Sequence, residues 1–304
     1  MKHRINPQID CVFKAILGAE NNKPLLISFL NSVIKPDSPI VVVDILNPYN
    51  EKEFIGDKLS IVDIKAQDEQ KRLFQIEIQM AIFPHLPARM LYTWSDIYAA
   101  QLQDGEKYSD LHPVISIWLL SENLFTTTKV AHHHFQMADL AQQKILNDHC
   151  SLHVLELNKW QTTPTPSVED QWMIFFREAK SWSELPAQLN TPELRQAMAT
   201  LQRFSEKEQA YHLYQARENA IREEKTQQAL LEEALAKHAE AVKSQEEAVR
   251  KQEEAVRMQE EAVRMQEEAV RMQEEERREK EAALLEQERL WDLLKNAGID
   301  PDAP

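Results

Sequence analysis

"LSIVDIKAQDEQKRLFQIEIQM", residues 59–80, decides the fold. Two apolar, β-branched runs flank the polar stretch "AQDEQKR" (66–72), which predicts two strands joined by a turn. Residues two apart on a strand share a face. On the second strand Phe74, Ile76 and Ile78 line one face, and Gln75, Glu77 and Gln79 the other. On the first, Ile61, Asp63 and Lys65 alternate with Ser60, Val62 and Ile64. Carboxylates inside strands this apolar are costly unless a cation or hydrogen bonds satisfy them. If register joins the two polar faces, Asp63 and Glu77 converge. With the backbone carbonyl of Ile78 they then form an oxygen site for a hard cation such as Mg²⁺. Such an ion lowers the pKa of a bound water and stabilises charge on a phosphoryl group. The plainer reading of the alternation is a half-exposed hairpin with Asp63 and Glu77 facing water.

Working outward, "PQIDCVFKAILGAENNKPLLISFLNSVI" (7–34) shows helical spacing at Val12, Phe13, Ile16 and Leu17, a break at Gly18, and a second stripe from Leu25 to Ile34. "IVVVDIL" (40–46) predicts a strand. "RMLYTWSDIYAAQLQDG" (89–105) predicts a helix, "PVISIWLL" (113–120) a buried strand and "SLHVLELNKW" (151–160) another. Helices, three strands, helix, strand is the order of a mixed α/β domain, assigned to residues 1–160. "QTTPTPS" (161–167) supplies a linker, 161–166. Ser167 with Asp170 and Ser205 with Glu208 look like capping boxes, and Thr191-Pro192 like an N-cap with proline in the first turn. Residues 167–228 thus read as a helical domain.

From 229 to 290 the chain is periodic. "QEEAVRK" at 245 precedes three copies of "QEEAVRM" between 252 and 272. Ala255, Met258, Ala262, Met265, Ala269 and Met272 alternate at spacings of three and four, a thin coiled-coil seam widened by Val256, Val263 and Val270. Glu253–Arg257, Glu260–Arg264 and Glu267–Arg271 are i,i+4 pairs, each contributing roughly 0.2–0.5 kcal/mol. A solvated single helix competes with a coiled coil here; the in-phase stripe favours self-association into a homo-oligomer. Residues 291–304 form a tail.

The net charge of −15 is uneven: −4 over residues 1–150 and −11 over the rest. Neither half has the basic excess that advertises nucleic-acid binding, which weighs less against a nuclease whose acids are neutralised by metal. Two cysteines without a CxxC, no apolar leader in "MKHRINPQID" and no apolar run of membrane-spanning length predict a cytoplasmic protein that does not enter membranes.

Taken together, "DCVFKAILG" (10–18), "PLLISFLNSVI" (24–34), "DKLSIVDIKAQD" (57–68), "FQIEIQM" (74–80) and "ARMLYTWSDIYAAQLQDGEKYSDLHPVISIWLL" (88–120) resemble the recombination-promoting nuclease and transposase family of the PD-(D/E)xK superfamily. "HCSLHVLELNKW" (149–160) and "LPAQLNTPELRQAMATLQRFS" (185–205) extend the likeness to about two thirds of the chain. The resemblance implies a restriction-endonuclease-like mixed sheet flanked by helices, and cleavage of DNA phosphodiesters dependent on Mg²⁺ or Mn²⁺. It puts Asp63 and Glu77 at the two acids, with Ile78 contributing its carbonyl to the metal. Gln79 takes the place where many members carry lysine, as a water-positioning amide. Asp10 is similar to an additional acid, and Lys65 is a candidate to replace the missing charge, against its reading as a surface ion pair.

Other residues carry less. The run "AHHHF" (131–135) suggests metal, but adjacent residues point apart, so it reads as structural or surface. Tyr92, Trp94, Tyr98 and Tyr108 are candidates to stack on bases, with core packing as the alternative; Arg89 and Lys107 are candidates to touch phosphate. The rival to an endonuclease is an inactive nuclease-like binding module scaffolded by the repeats.

Overall fold

The computed structural model describes residues 3–47 and 64–296, so Asp63 and the first run of the opening stretch, 59–63, lie outside the described residues. The chain divides into two units, Met1–Gln227 and Gln228–Pro304. The first begins with α1 (Asp10–Leu17) and α2 (Lys23–Ile34), at the predicted spacing. Gly18 caps the end of α1, its N–H donating to the Lys14 carbonyl, and a Cβ there would lie 2.8 Å from that oxygen and 3.3 Å from Ile64 Cγ1. Then come β1 (Val43–Ile45), β2 (Ile64–Asp68), β3 (Leu73–Gln79), α3 (Leu86–Ala99) and β4 (Val114–Leu120). The turn after β2 is held by Asp68, whose Oδ1 accepts from the backbone N–H groups of Gln70 and Arg72, while Lys71 takes a left-handed φ of 60°.

β5 (His132–Gln136) is a strand that periodicity did not predict; its histidine run is an edge of the sheet. A two-stranded pair, β6 (Ala138–Asp139) and β7 (Lys144–Ile145), leads to β8 (Cys150–Glu156). The helices α4 (Val168–Glu178), α5 (Pro192–Glu206) and α6 (Glu208–Asn296) follow. The sheet order is β1-β2-β3-β4-β8-β5. β3, β4 and β8 run parallel, and β1–β2, β2–β3 and β5–β8 pair antiparallel. The β3–α3–β4 crossover makes the parallel pair possible. This is the expected α/β architecture, a mixed sheet flanked by helices with a long C-terminal helix.

Each face of the sheet has its own core. On one, Phe74, Ile76, Ile117 and Leu119 meet Phe13 of α1, Phe29 of α2, Trp172 and Phe176 of α4 and Leu201 of α5. Phe29 meets Trp172 and Phe176 edge-on, and each fully buried aromatic contributes about 1.5–3 kcal/mol. The segment after the 161–166 linker therefore shares a core with the sheet. On the other face, Leu86 and Met90 of α3 cover Trp118, Leu120, Leu152 and Val154.

Capping shows where local rules hold. Ser167 and Asp170 form a complete capping box, and Thr191 accepts from the Leu194 N–H with Pro192 at the start of α5. Ser205 does not cap α6: it is buried inside α5 and its Oγ accepts from the backbone N–H of His3. A tertiary partner has replaced the local one.

In the second unit, the helix from Gln228 to Asn296 leaves its apolar residues, Val256, Met258, Val263, Met265, Val270 and Met272 among them, exposed to solvent. Pairs such as Lys237–Glu233 (2.7 Å) and Lys280–Glu276 (2.6 Å) lie along it at i,i+4 spacing.

Candidate active site

β3 is a central strand buried on both faces, and this settles how its polar residues sit. Gln75 is fully buried and Glu77 only 4% exposed, so the half-exposed hairpin is corrected: α3 covers the face that alternation alone would hand to water. Such a face survives only if its polar atoms are joined. Trp118 Nε1 donates to Ser116 Oγ (2.8 Å), Ser116 Oγ to Gln75 Oε1 (3.0 Å), and Gln75 Nε2 to Glu77 Oε1 (3.4 Å). The chain of hydrogen bonds runs under α3 and ends on a carboxylate.

That carboxylate opens onto a cleft of about 630 Å³ at the end of β3, lined by Asp10, Glu77, Gln79, Arg89 and Arg217 among others. α1 contributes Asp10, whose Oδ1 accepts from the Cys11 N–H at 2.7 Å. The first turns of α6 contribute Arg217, 3.6 Å from Asp10 Oδ2. Burial raises the Asp10 pKa above its ordinary value, against the pull of Arg217, the Cys11 N–H and Lys14. The carboxylate pays a desolvation cost that a cation would offset. Glu223 and Glu224 on α6 add further acids to the wall.

The expected residues divide as follows. Glu77, Asp10, Gln79 and Ile78 meet at one cleft. Lys65 sits on β2 opposite Gln75, half-buried, and does not line the cleft. Asp63 lies outside the described residues, directly before Ile64, which is paired with Ile76. Gln79 is engaged at both ends: its Nε2 donates to the Ala81 carbonyl (2.9 Å) and its Oε1 accepts from Arg89 Nη1 (3.3 Å). Tyr92 and Tyr108 are exposed rather than core, whereas Trp94 Nε1 donates to the Val114 carbonyl and its ring stacks on Tyr98.

Sequence reasoning ranked Arg89 low and missed Arg217. Arg89 projects from α3 with Nη2 4.0 Å from Glu77 Oε2 and its guanidinium 5.6 Å from the Trp118 ring centre. Its place in the first turn of a helix that begins beyond β3 was a usable signal; a single arginine in the charged α6 offered none. Among the described residues no group of three or more His, Cys, Asp or Glu side chains is arranged to hold a metal. Glu77 and Asp10 with the Ile78 carbonyl are oxygen donors of the kind that suit a hard divalent ion, and all three residues line this cleft.

The histidine run resolves into two faces. His132 and His134 point to the α4 side, where His132 Nδ1 lies 2.6 Å from Glu169 Oε1 and His132 Nε2 2.8 Å from His153 Nδ1. His134 Nε2 and His153 Nε2 both approach Ser151 Oγ, at 2.9 and 3.2 Å. His133 lies on the other side, 3.3 Å from Glu156. The structural reading of this run agrees with that geometry.

No helix among the described residues is long and apolar enough to cross a membrane. Compared with known proteins, residues 7–229 match the model of one family, described as PD-(D/E)XK nuclease family transposase. No curated protein and no solved structure matches the chain.

Proposed function

Since the chain belongs to the PD-(D/E)XK nuclease family transposases, we propose that it is an endonuclease that hydrolyses DNA phosphodiester bonds with the help of Mg²⁺ or Mn²⁺. The observation that carries this reading is Glu77: a carboxylate buried under α3, backed by a polar chain, and lining a cleft that also holds Asp10 and two arginines. Glu77 and Asp63 are proposed for the two acidic positions of the motif, Asp63 on the sequence alone. Glu77, Asp63 and the Ile78 carbonyl would hold the ion, with Asp10 as an additional acid. Once bound, the ion supplies charge neutralisation at the phosphoryl group and acidifies a water. The protein's own part is to fix the carboxylates, which the Trp118–Ser116–Gln75 chain does for Glu77, and to present cations to the phosphate.

The heptad helix is proposed to assemble the chain into a homo-oligomer, setting two sites for two strands; the exposed valine and methionine stripe supports this. A part in recombination or transposition is supported by the family description alone. One observation favours the rival binding module: Gln79 stands where the motif has lysine.

The test is cleavage of supercoiled plasmid by wild type, Asp63→Ala and Glu77→Ala in Mg²⁺, Mn²⁺ or EDTA. Metal-dependent nicking or linearisation absent from both variants is expected. Equal activity in all three proteins, or none with any metal, would shift the reading to the binding module. Removal of the chain after residue 228 is expected to lower the number of chains per particle seen by light scattering; an unchanged number sinks the proposed role of the repeats.

A further inference from the structure

In Glu77-Ile78-Gln79 the (D/E)XK motif lacks its lysine, and a neutral amide supplies no positive charge. We propose that Arg89 supplies that cation, binding the nonbridging oxygens of the scissile phosphodiester, and that Gln79 is the residue that positions it. This rests on the hydrolytic reading above and names the group that meets the substrate.

Three features of the geometry carry the proposal. First, the guanidinium lines the cleft and the side chain is 37% exposed, so it is reachable from the side a phosphate would enter. Second, Arg89 is not consumed by its neighbours. Its approach to Glu77 Oε2, 4.0 Å, is far longer than the roughly 2.7–2.9 Å of a charge-assisted hydrogen bond. Of its five N–H donors, one is given to Gln79 among the described residues. Third, it is held in place. Trp118 lies under the guanidinium, and Gln79, with its Nε2 fixed on the Ala81 carbonyl, turns its Oε1 to Arg89.

That arrangement gives a physical reason for glutamine at 79. A lysine there would bring an ammonium beside the guanidinium and drive it off, whereas an amide oxygen accepts from it. Lysine at 79 and arginine at 89 are alternative solutions to one charge requirement.

In the reaction the water oxygen forms a new P–O bond as one ester P–O bond breaks. The water's proton passes to solvent and the departing oxygen takes one from solvent, with nothing oxidised or reduced. Negative charge grows on the nonbridging oxygens, where a planar guanidinium donates to two at once. If Arg89 did no more than neutralise Glu77, its loss would cost stability without any dependence on phosphate.

The test uses the full chain and five proteins: wild type, Arg89→Ala, Arg89→Lys, Gln79→Lys and the double variant Gln79→Lys/Arg89→Ala. In plasmid cleavage with Mg²⁺ or Mn²⁺, Arg89→Ala is expected to lose about 10²-fold, the scale of one preorganised donor to transition-state charge. Millimolar guanidinium chloride restores part of the loss, and Arg89→Lys falls between wild type and Arg89→Ala. Gln79→Lys alone slows cleavage, yet in the Arg89→Ala background it speeds it. In EDTA, fluorescence anisotropy with a short duplex is expected to show weaker binding by Arg89→Ala and a salt slope shallower by about 0.9. Cleavage by Arg89→Ala within threefold of wild type overturns the proposal. So does a deficit that neither guanidinium nor Gln79→Lys relieves in protein with an unchanged melting temperature. A wild type that shows no cleavage with any metal overturns the hydrolytic reading instead, and the EDTA binding difference then decides the phosphate contact separately.

Discussion

Two hydrogen-bonded chains of polar side chains line this sheet, one on each face, and they end differently. Under α3, Trp118, Ser116 and Gln75 lead to Glu77, whose carboxylate opens on a cleft with Asp10, Arg89 and Arg217. Under α4, His134, Ser151, His153 and His132 lead to Glu169, whose second oxygen is 2.6 Å from Lys35 Nζ. The second chain also borders a recess, but its carboxylate is already matched by an imidazole and an ammonium. Burial alone would raise the Glu169 pKa; hydrogen bonds from His132 and Lys35 outweigh it and hold the carboxyl below its ordinary value. Asp10, on the cleft side, is shifted the other way. Glu169 is held between an imidazole and an ammonium, whereas the Glu77 carboxylate faces a cleft that also holds Asp10, Arg89 and Arg217.

The largest effect should separate the two ends. Glu77→Ala is expected to reduce cleavage by about 10³-fold or more, comparable to removing a central catalytic group, and to cost about 1–2 kcal/mol of unfolding free energy because it strands the Gln75 amide. A divalent cation should raise the melting temperature of wild type but not of this variant. Glu169→Ala is the mirror experiment. It breaks a mostly buried pair, discounted because Lys35 is largely exposed, and should cost about 2–3 kcal/mol in urea unfolding with cleavage per folded molecule unchanged. If Glu169→Ala abolished cleavage in folded protein, the contrast between the two ends would collapse.

How much of this contrast could be read from sequence depends on the range of each interaction. The strand pair around residues 66–72, the helix stripes, the Ser167 box and the Thr191 cap are local, and their residues declare them. The convergence of Glu77, Gln79 and Asp10 came through the motif and its likeness to a family. The burial of Gln75 and Glu77 was hidden because their cover is α3, an element outside the strands themselves. Likewise the three adjacent histidines point apart as expected, but the partners of His132 and His134 come from β8 and α4. Ser205 misled for the same reason: its hydroxyl serves His3 rather than the helix that follows.

The histidine chain sharpens the comparison through pH. Burial, then His134 and His132, push the His153 pKa down to about 3, so the folded protein resists a proton that the unfolded chain accepts near about 6.5. Stability is therefore full above the unfolded value and declines as pH falls toward the folded one, by about 1.4 kcal/mol per pH unit at most. Glu169, with its lowered pKa, adds loss only below the ordinary carboxylate range. Between pH 6 and 4.5, wild type should lose about 2 kcal/mol that His153→Gln does not. Equal slopes in the two proteins would mean the chain is not buried in solution as it is in this fold.

The smallest effects come from matched serines in the middle of each chain. Ser116→Ala leaves the Trp118 N–H and the Gln75 carbonyl oxygen without their shared partner, and Ser151→Ala takes a partner from the buried His153 and from the exposed His134. Each should cost about 1–2 kcal/mol, the usual consequence of stranding buried polar groups. On stability the two are expected to be indistinguishable, since both serines lie in strands of the same sheet. On activity they should part. Gln75 donates to Glu77, so loosening it lets the carboxylate tilt, and Ser116→Ala should slow cleavage a few-fold at saturating DNA without weakening DNA binding. Ser151→Ala should leave both unchanged, because its chain ends on Lys35 and not on the cleft. The two proteins share the same substitution, sheet and expected energetic cost. A difference in rate alone would therefore mean that the α3-side chain positions a catalytic acid, and identical rates would mean that it only fills the space under α3.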